Sequence, residues 1–298
     1  MNTELNETRL WTALVTPMKE NGDIDLEDLA GLIHKQDEAG NGVLVLGSTG
    51  EGLALGGEDK KQVVNTATSL NVDVPVMVGV GGFNLREQIE WIEHCHEYDP
   101  DAFLLVTPLY AKPEKRGQVE WFRALMDAAD RPCMLYNVPS RTGTWLEVDA
   151  LRQLAGHPNL YALKEAGGSI ERFQSYRNAV PELPIYSGDD GLTPYFALNG
   201  CRGLVSVMAN VWPKAAHRYL ELCLDGEVKD LVTHWKEPIA SLFSVSNPIP
   251  SKALLREKGW IKTSTLRPPL SSEDITDTER LQKADKSITK WYEENKRV

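Results

Sequence analysis

Residues 133–166 read CMLYNVPSRTGTWLEVDALRQLAGHPNLYALKEA. This stretch contains two short apolar runs, residues 133–138 and residues 160–166. Between them, Val148, Leu151 and Leu154 recur at helical spacing. Apolar runs that are continuous rather than alternating are typical of strands buried on both faces of a parallel sheet. The stretch therefore predicts one strand–helix–strand unit.

The same unit recurs along the chain. Amphipathic segments separate eight apolar runs, at residues 11–15, 43–46, 74–80, 102–106, 133–138, 160–166, 184–187 and 203–208. Eight such units with no long linker between them predict an α/β fold, a (β/α)8 TIM barrel. A doubly wound open sheet is the alternative. Both folds place their chemistry at the carboxyl ends of the strands.

The chain after residue 226 has a different pattern. Helical spacing recurs at residues 228–245, 252–258 and 279–295, and proline-rich turns lie at residues 247–250 and 267–269. The apolar surface of this part is too small to form a core of its own. We therefore predict a catalytic barrel domain over residues 1–226 and a C-terminal helical region over residues 227–298, packed on the barrel.

The composition argues against several classes of function. A net charge of −11 disfavours a nucleic-acid partner. No apolar run approaches the length of about 18 residues that spans a bilayer. The first eight residues are polar and acidic, unlike a signal or transit peptide, so we expect a cytoplasmic protein. The cysteines are far apart, which favours buried reduced thiols over a metal or redox site: Cys95, Cys133, Cys201 and Cys223.

Lys164 is the most informative single residue. It lies near the carboxyl end of the predicted sixth strand, among apolar neighbours. Burial disfavours the charged ammonium, so its pKa should fall from about 10.4 towards neutrality. A neutral amine is a nucleophile that attacks a ketone or aldehyde to form a Schiff base. Lys164 is therefore a candidate catalytic nucleophile.

Other polar residues follow the carboxyl ends of several predicted strands. Residues 47–51 read GSTGE after the second strand, and two glycines around two hydroxyl residues suit a small anion. The remaining candidates follow strands four, five, seven and eight: Tyr110, Tyr136, Arg141, Asp189, Asp190 and Asn210. A common end of one barrel would bring these side chains together.

Several of these features also have ordinary structural interpretations. Residues 47–51 would fit a plain turn, and Tyr136 would fit a core aromatic. Asp189 and Asp190 would fit a helix cap and a first-turn charge. His94 and His96 do not share a helix face, so we expect no metal site there. Residues 79–82 resemble the start of a dinucleotide-binding loop, but Asn84 stands where that motif has its third glycine, so we exclude that function.

These motifs together resemble the dihydrodipicolinate synthase and N-acetylneuraminate lyase superfamily of Schiff-base-forming aldolases. The resemblance extends from residues 14–17 to residues 247–250. The most specific marker of this resemblance is the sequence YNVPSRTG at residues 136–143. Residues 164–166, Lys-Glu-Ala, resemble the strand that carries the Schiff-base lysine in the superfamily. The resemblance implies a pyruvate-dependent lyase that requires no cofactor and no metal.

The resemblance also implies a role for each candidate residue. Lys164 would form an imine with pyruvate, and Tyr136 would act as the acid/base. Ser48 and Tyr110 would complete a proton relay, with Tyr110 supplied by the neighbouring subunit. The remaining roles are substrate binding: the backbone N–H groups of Ser48 and Thr49 for the pyruvate carboxylate, Arg141 for the carboxylate of the second substrate, and Gly188 and Val205 for the pocket wall.

The arginine at position 141 separates two reactions that the superfamily performs. It resembles the synthase branch, which condenses pyruvate with L-aspartate 4-semialdehyde in lysine and diaminopimelate biosynthesis. The alternative is a lyase for N-acetylneuraminate or another keto-sugar acid, whose long substrate needs no short carboxylate clamp. A barrel that has lost catalysis is disfavoured because the lysine, both tyrosines and a hydroxyl are retained. The superfamily also implies a homotetramer built as a dimer of dimers.

Two positions depart from the pattern of the synthases. Ser48 stands where threonine is more common, and its hydroxyl lacks the rotamer restriction of a β-branched side chain. The positions that bind inhibitory lysine in sensitive members have mostly lost their polar groups: Gly52, Leu53, Gly57, Lys60, Phe83 and Leu109, with Glu87 retained. We therefore expect weak or absent feedback by lysine.

Overall fold

The structure, a computed structural model, describes residues 3–296. Within them, eight parallel strands pair in sequence order and close into a barrel: β1 Leu10–Ala13, β2 Gly42–Val45, β3 Val76–Val80, β4 Ala102–Val106, β5 Cys133–Asn137, β6 Leu160–Glu165, β7 Ile185–Ser187 and β8 Gly203–Ser206. Pairing of Leu10 with Leu204 joins the first strand to the last. This closure confirms the TIM barrel and excludes the open sheet. The predicted strands are all present, although several are shorter than their apolar runs.

Helices cover the outside of the barrel. Their bounds are α1 Thr3–Glu7, α2 Leu26–Asp37, α3 Gly57–Ser69, α4 Leu85–Cys95, α5 Lys115–Ala129, α6 Pro139–Thr142, α7 Val148–Leu154, α8 Ile170–Ala179, α9 Thr193–Ala197, α10 Pro213–Leu224, α11 Lys229–Ser241, α12 Ile249–Glu257 and α13 Glu279–Asn295. The sequence did not predict α1 or α6. The short helix α6 begins with proline directly after β5, where the fixed φ of proline suits the first helical position.

The interior of the barrel is closed at the amino ends of the strands. Leu5 of α1 is fully buried there. The Tyr161 hydroxyl lies 2.7 Å from the Leu5 carbonyl oxygen and 2.8 Å from the Tyr186 hydroxyl. Because this end is sealed by α1, a small molecule reaches the interior from the carboxyl ends of the strands.

The last three helices pack against the barrel. The Trp235 and Trp291 rings meet edge to face at 5.0 Å, which joins α11 to α13. Helix α11 ends at Ser241, before the predicted residue 245, and α12 starts at Ile249, inside the predicted proline-rich turn. Proline is tolerated there because the first helical N–H groups have no intrahelical acceptor. The division into residues 1–226 and 227–298 stays a prediction.

The four cysteines are free and buried, and burial raises the pKa of each thiol. Among the described residues, no group of histidine, cysteine, aspartate and glutamate side chains has the arrangement of a metal site. None of the described helices combines the length and apolarity needed to cross a membrane.

Candidate active site

Lys164 lies near the carboxyl end of β6. Alternation along the strand places it on the same face as Ala162, which belongs to the cluster inside the barrel. Its neighbour on β5 is Tyr136, the register partner of Lys164. The Lys164 Nζ atom lies 4.1 Å from the centre of the Tyr136 ring, and 5% of the lysine is exposed. The two side chains are therefore held together inside the barrel.

The environment of Lys164 favours the neutral amine. Burial lowers its pKa to about 7. The Asp190 carboxylate raises this pKa, and the Arg141 guanidinium lowers it, but burial is the largest effect. Near neutral pH a large fraction of the side chain is thus uncharged and nucleophilic.

Gly188 follows β7 and lies against the lysine. A Cβ atom at this position would lie 3.0 Å from Lys164 Cε and 2.6 Å from Ala166 Cβ. A side chain would therefore displace the lysine, and glycine allows the close approach. Val205 of β8 is buried in the interior cluster.

The turn after β2 presents unpaired donors. Thr49 is buried, and its hydroxyl oxygen accepts a hydrogen bond of 2.9 Å from Asn247 Nδ2. The backbone N–H groups of Ser48 and Thr49 have no acceptor within residues 3–296. Successive free N–H groups form a concave site that suits a carboxylate. The anion-binding function of residues 47–51 stays a prediction.

Tyr136 is a buried proton donor. Burial raises the pKa of its phenol, while Arg141 and the Ser48 hydroxyl oppose that rise. The hydroxyl therefore stays protonated at neutral pH. A proton donor beside a nucleophilic amine is the arrangement that imine chemistry requires.

A cavity of about 930 Å³ opens at the carboxyl ends of β2 to β5. Four of the predicted residues line it: Ser48, Tyr110, Tyr136 and Arg141. Four do not: Lys164, Thr49, Gly188 and Val205. Lys164 is linked to the cavity through Tyr136, whose ring contacts both.

Tyr110 lines the cavity, but within the described residues its side chain makes no hydrogen bond to Ser48 or Tyr136. Its side chain is 86% exposed, and its hydroxyl has no hydrogen bond to a described residue. Its ring lies 6.5 Å from the Phe83 ring. The proton relay of Ser48, Tyr110 and Tyr136 is therefore not closed within one chain.

The structure corrects the interpretation of Asp190 as a simple first-turn charge. Asp189 is not the cap of α9 either, since the N-cap residue is Leu192; the Asp189 Oδ1 accepts from the N–H groups of Gly191 and Leu192 in the turn before the helix. Asp190 is buried, and its Oδ2 accepts from the N–H groups of Val207 and Met208. Burial raises the Asp190 pKa to about 6. The residues around Asp190 in the sequence do not predict its contact with the loop after β8.

Glu165 is a buried charged residue next to Lys164 that the sequence patterns did not predict. It is buried, and its Oε2 accepts from Asn137 Nδ2 at 2.7 Å. Its Oε1 accepts from the Gly167 N–H at 2.7 Å, and burial raises its pKa to about 7. Side chains alternate along a strand, so Glu165 lies on the face opposite Lys164. Its hydrogen bond to Asn137 therefore joins β6 to β5 on the outer face of the barrel. A carboxylate inside an apolar strand was the available signal.

The sequence matches one family along nearly its whole length. The profile of the dihydrodipicolinate synthetase family matches residues 6–289. A 4-hydroxy-tetrahydrodipicolinate synthase of Francisella philomiragia is 48% identical over 294 residues, which are 98% of this chain and 99% of the relative. The corresponding enzyme of Francisella tularensis subsp. novicida is 49% identical, with the same coverage of both chains.

Solved structures of dihydrodipicolinate synthases are also similar to this chain along nearly its whole length. The chloride-inhibited dihydrodipicolinate synthase of Acinetobacter baumannii, complexed with pyruvate, superposes with a TM-score of 0.89 at 34% identity, covering 95% of this chain and 99% of that chain. The lysine-bound enzyme of Cyanidioschyzon merolae superposes with a TM-score of 0.89 at 33% identity, with the same coverage.

Proposed function

The chain belongs to the dihydrodipicolinate synthetase family, and we propose that Lys164 is its Schiff-base nucleophile. The activity is the 4-hydroxy-tetrahydrodipicolinate synthase reaction, a condensation of pyruvate with L-aspartate 4-semialdehyde in lysine and diaminopimelate biosynthesis. The observation that carries the proposal for Lys164 is its burial, which holds the pKa at about 7, beside the phenol of Tyr136.

The first half of the mechanism takes place at the amine. Neutral Lys164 attacks the ketone carbon of pyruvate, and the resulting carbinolamine loses water to give an imine. The protonated imine withdraws electrons, so the methyl group of pyruvate loses a proton and an enamine forms. Tyr136 donates the proton that the departing hydroxyl requires, and the resulting phenolate recovers a proton when the methyl group is deprotonated.

The second half joins the two substrates. The enamine carbon attacks the aldehyde of L-aspartate 4-semialdehyde, which restores the imine, and the new alkoxide takes a proton from the Tyr136 phenol. The amino group of the second substrate then attacks the imine carbon, closes the ring and releases Lys164 as the free amine. The Ser48 and Thr49 N–H groups hold the pyruvate carboxylate. Arg141 lines the same cavity and binds the carboxylate of the second substrate, for which its planar guanidinium is suited. Gly188 and Val205 form the wall around the imine.

The exposure of Tyr110 supports an active site that is shared between two subunits. We propose that Tyr110 reaches the Tyr136 of a second subunit and completes the relay with Ser48. Phe83, whose ring lies 6.5 Å from the Tyr110 ring, and Leu53, which lines the same cavity, are also exposed and would be covered by the same contact. The assembly would be a homotetramer, a dimer of such dimers, acting in the cytoplasm.

The residues at the rim of the cavity support the proposal that lysine inhibits the enzyme weakly or not at all. The free amino acid carries an ammonium group that needs carboxylate or carbonyl partners. Here the rim offers Leu53, Leu109 and the cation Lys60 instead. Burial lowers the Lys60 pKa, and its Nζ lies 5.8 Å from the centre of the Trp91 ring. A second ammonium would meet repulsion and few acceptors at this rim.

Borohydride reduction in the presence of pyruvate tests the role of Lys164. We expect one pyruvyl adduct per chain, located on Lys164 by peptide mass mapping, and none in Lys164→Met. Lys214→Met, which removes a half-exposed lysine far from the cavity, is the matched control. An unmodified wild-type protein would refute the proposal. Turnover of N-acetylneuraminate in place of L-aspartate 4-semialdehyde would instead identify the lyase reaction.

A further inference from the structure

The turn after β2 is held by residues that are about 200 positions away in the sequence. Asn247 is buried just before α12, and its Nδ2 donates to the Thr49 hydroxyl oxygen at 2.9 Å. Lys252 is fully buried in α12. Its Nζ donates to Glu51 Oε1 at 2.5 Å and to the Thr265 carbonyl oxygen at 2.7 Å. The C-terminal helical region thus contacts the middle and the last residue of this turn.

The backbone of Glu51 shows that the turn needs such support. Its φ is +56°, in the left-handed region that residues with side chains rarely adopt. Such a conformation persists where the surroundings hold it in place. Both carboxylate oxygens are used, since Oε2 accepts from the Arg267 N–H at 2.7 Å while Oε1 binds Lys252. The ion pair is almost completely removed from water.

We propose that Asn247 and Lys252 are positioning residues that hold residues 47–51 in the shape that presents the Ser48 and Thr49 N–H groups to the pyruvate carboxylate. This inference rests on the proposed function of that turn. The C-terminal helical region then belongs to the binding apparatus. Disturbing it weakens pyruvate binding while the reactivity of Lys164 is preserved.

A purely structural role gives different expectations. If these contacts only stabilised the fold, their loss would lower the unfolding temperature and leave the affinity for pyruvate unchanged. If they position the turn, their loss would loosen residues 47–51 and raise the KM for pyruvate, with kcat at saturating substrate retained.

Asn247→Ala is the first test, with Lys258→Met as its matched control. Lys258 belongs to the same C-terminal region, but its ion pair joins Asp285 at 2.5 Å and does not touch the turn. Hydrogen exchange of the peptide covering residues 46–55 and the KM for pyruvate are measured on the full chain. We expect Asn247→Ala to raise both the exchange rate and the KM by about tenfold, the effect of one lost buried hydrogen bond. Lys258→Met should change neither.

A double-mutant cycle shows whether Asn247 acts through Thr49. Thr49→Val removes the acceptor of the bond, so adding Asn247→Ala should cause little further rise in KM. Additive effects would overturn the proposal. Lys252→Met leaves a buried carboxylate unpaired and risks unfolding, so Glu51→Gln with Lys252→Met is used instead. We expect this neutral pair to give faster exchange in the turn than the wild type.

The two proposals fail in different ways. A wild-type protein that gains no pyruvyl adduct would refute the proposed function. Equal exchange of residues 46–55 in the wild type and in Asn247→Ala would refute the positioning role, whether or not pyruvate binds.

Discussion

Tyr136 and Lys164 are register partners on adjacent strands, and the Lys164 Nζ atom lies 4.1 Å from the centre of the Tyr136 ring. Because both side chains come from strands of a closed barrel, their separation is fixed by the sheet and not by a loop. Burial favours the protonated phenol and the neutral amine, so the same burial suits both residues to their proposed roles, Tyr136 as the acid and Lys164 as the nucleophile.

The pH dependence of imine formation should follow Lys164. Its pKa of about 7 predicts a rate that rises with pH and levels off above neutrality. Asp190 raises this pKa, so Asp190→Asn should move the rise to lower pH. Asp189→Asn is the matched control, and pre-steady-state imine formation from pH 5 to pH 9 is the measurement. A shift to higher pH in Asp190→Asn would contradict the electrostatic role.

Replacement of Lys164 should stabilise the protein. The folded pKa of about 7 lies below the unfolded value of 10.5, so folding releases a proton between these values. The lysine therefore destabilises the folded state fully below pH 7, and this effect fades towards pH 10.5. Lys164→Met should gain about 1–3 kcal/mol at pH 6, less than the full value of the shift.

The gain in the free energy of unfolding is measured by thermal and denaturant unfolding. The measurements are made at pH 6 and at the highest pH where the protein unfolds reversibly. The gain should shrink as pH rises. Lys214→Met, at a half-exposed lysine, should show no comparable pH-dependent gain. Destabilisation by Lys164→Met at pH 6 would show that the folded state prefers the charged amine.

Arg141→Ala should impair the second substrate selectively. Loss of a charge-assisted, bidentate contact should raise the KM for L-aspartate 4-semialdehyde by about 10–100-fold. Arg141→Lys should recover part of this because it restores the charge without the planar geometry. The assays belong at pH 9, since Arg141 also lowers the Lys164 pKa and its loss slows imine formation at neutral pH. The proposed role of Arg141 would be contradicted if Arg141→Ala at pH 9 impaired imine formation with pyruvate as much as it impaired the use of L-aspartate 4-semialdehyde.

Mixed subunits should reveal whether Tyr110 acts across an interface. Lys164→Ala and Tyr110→Phe proteins, each nearly inactive alone, are unfolded together and refolded. A mixed dimer then contains one site with both Lys164 and the partner's Tyr110, so random pairing should restore about a quarter of wild-type activity. No recovery, with mixed dimers demonstrated by mass spectrometry, would place Tyr110 in its own subunit's site.

Lysine should inhibit the enzyme weakly. The residues that line the cavity include no carboxylate to bind an ammonium group, and they include Lys60. We expect less than half inhibition at millimolar lysine in a steady-state assay. Lys60→Gln is the informative variant, because removing the repelling cation should increase any inhibition that exists. Strong inhibition of the wild type by submillimolar lysine would contradict this prediction.

The sequence by itself determined the barrel and identified Lys164 as the candidate nucleophile. Strands buried on both faces must be continuously apolar, so each strand left a local pattern, and a lysine among such residues stands out. The order of the strands then fixed which polar residues share one end. Even so, α6, which carries Arg141, was missed, since a helix of four residues is too short to show a helical period.

Only the tertiary structure decided which residues surround that lysine and support its neighbours. Asp190 binds the N–H groups that follow β8, Glu165 binds Asn137, and Asn247 reaches Thr49 across 198 positions. Such contacts depend on how the loops close and how the helices pack. They join single residues far apart in the chain, so they leave no repeating pattern in the sequence.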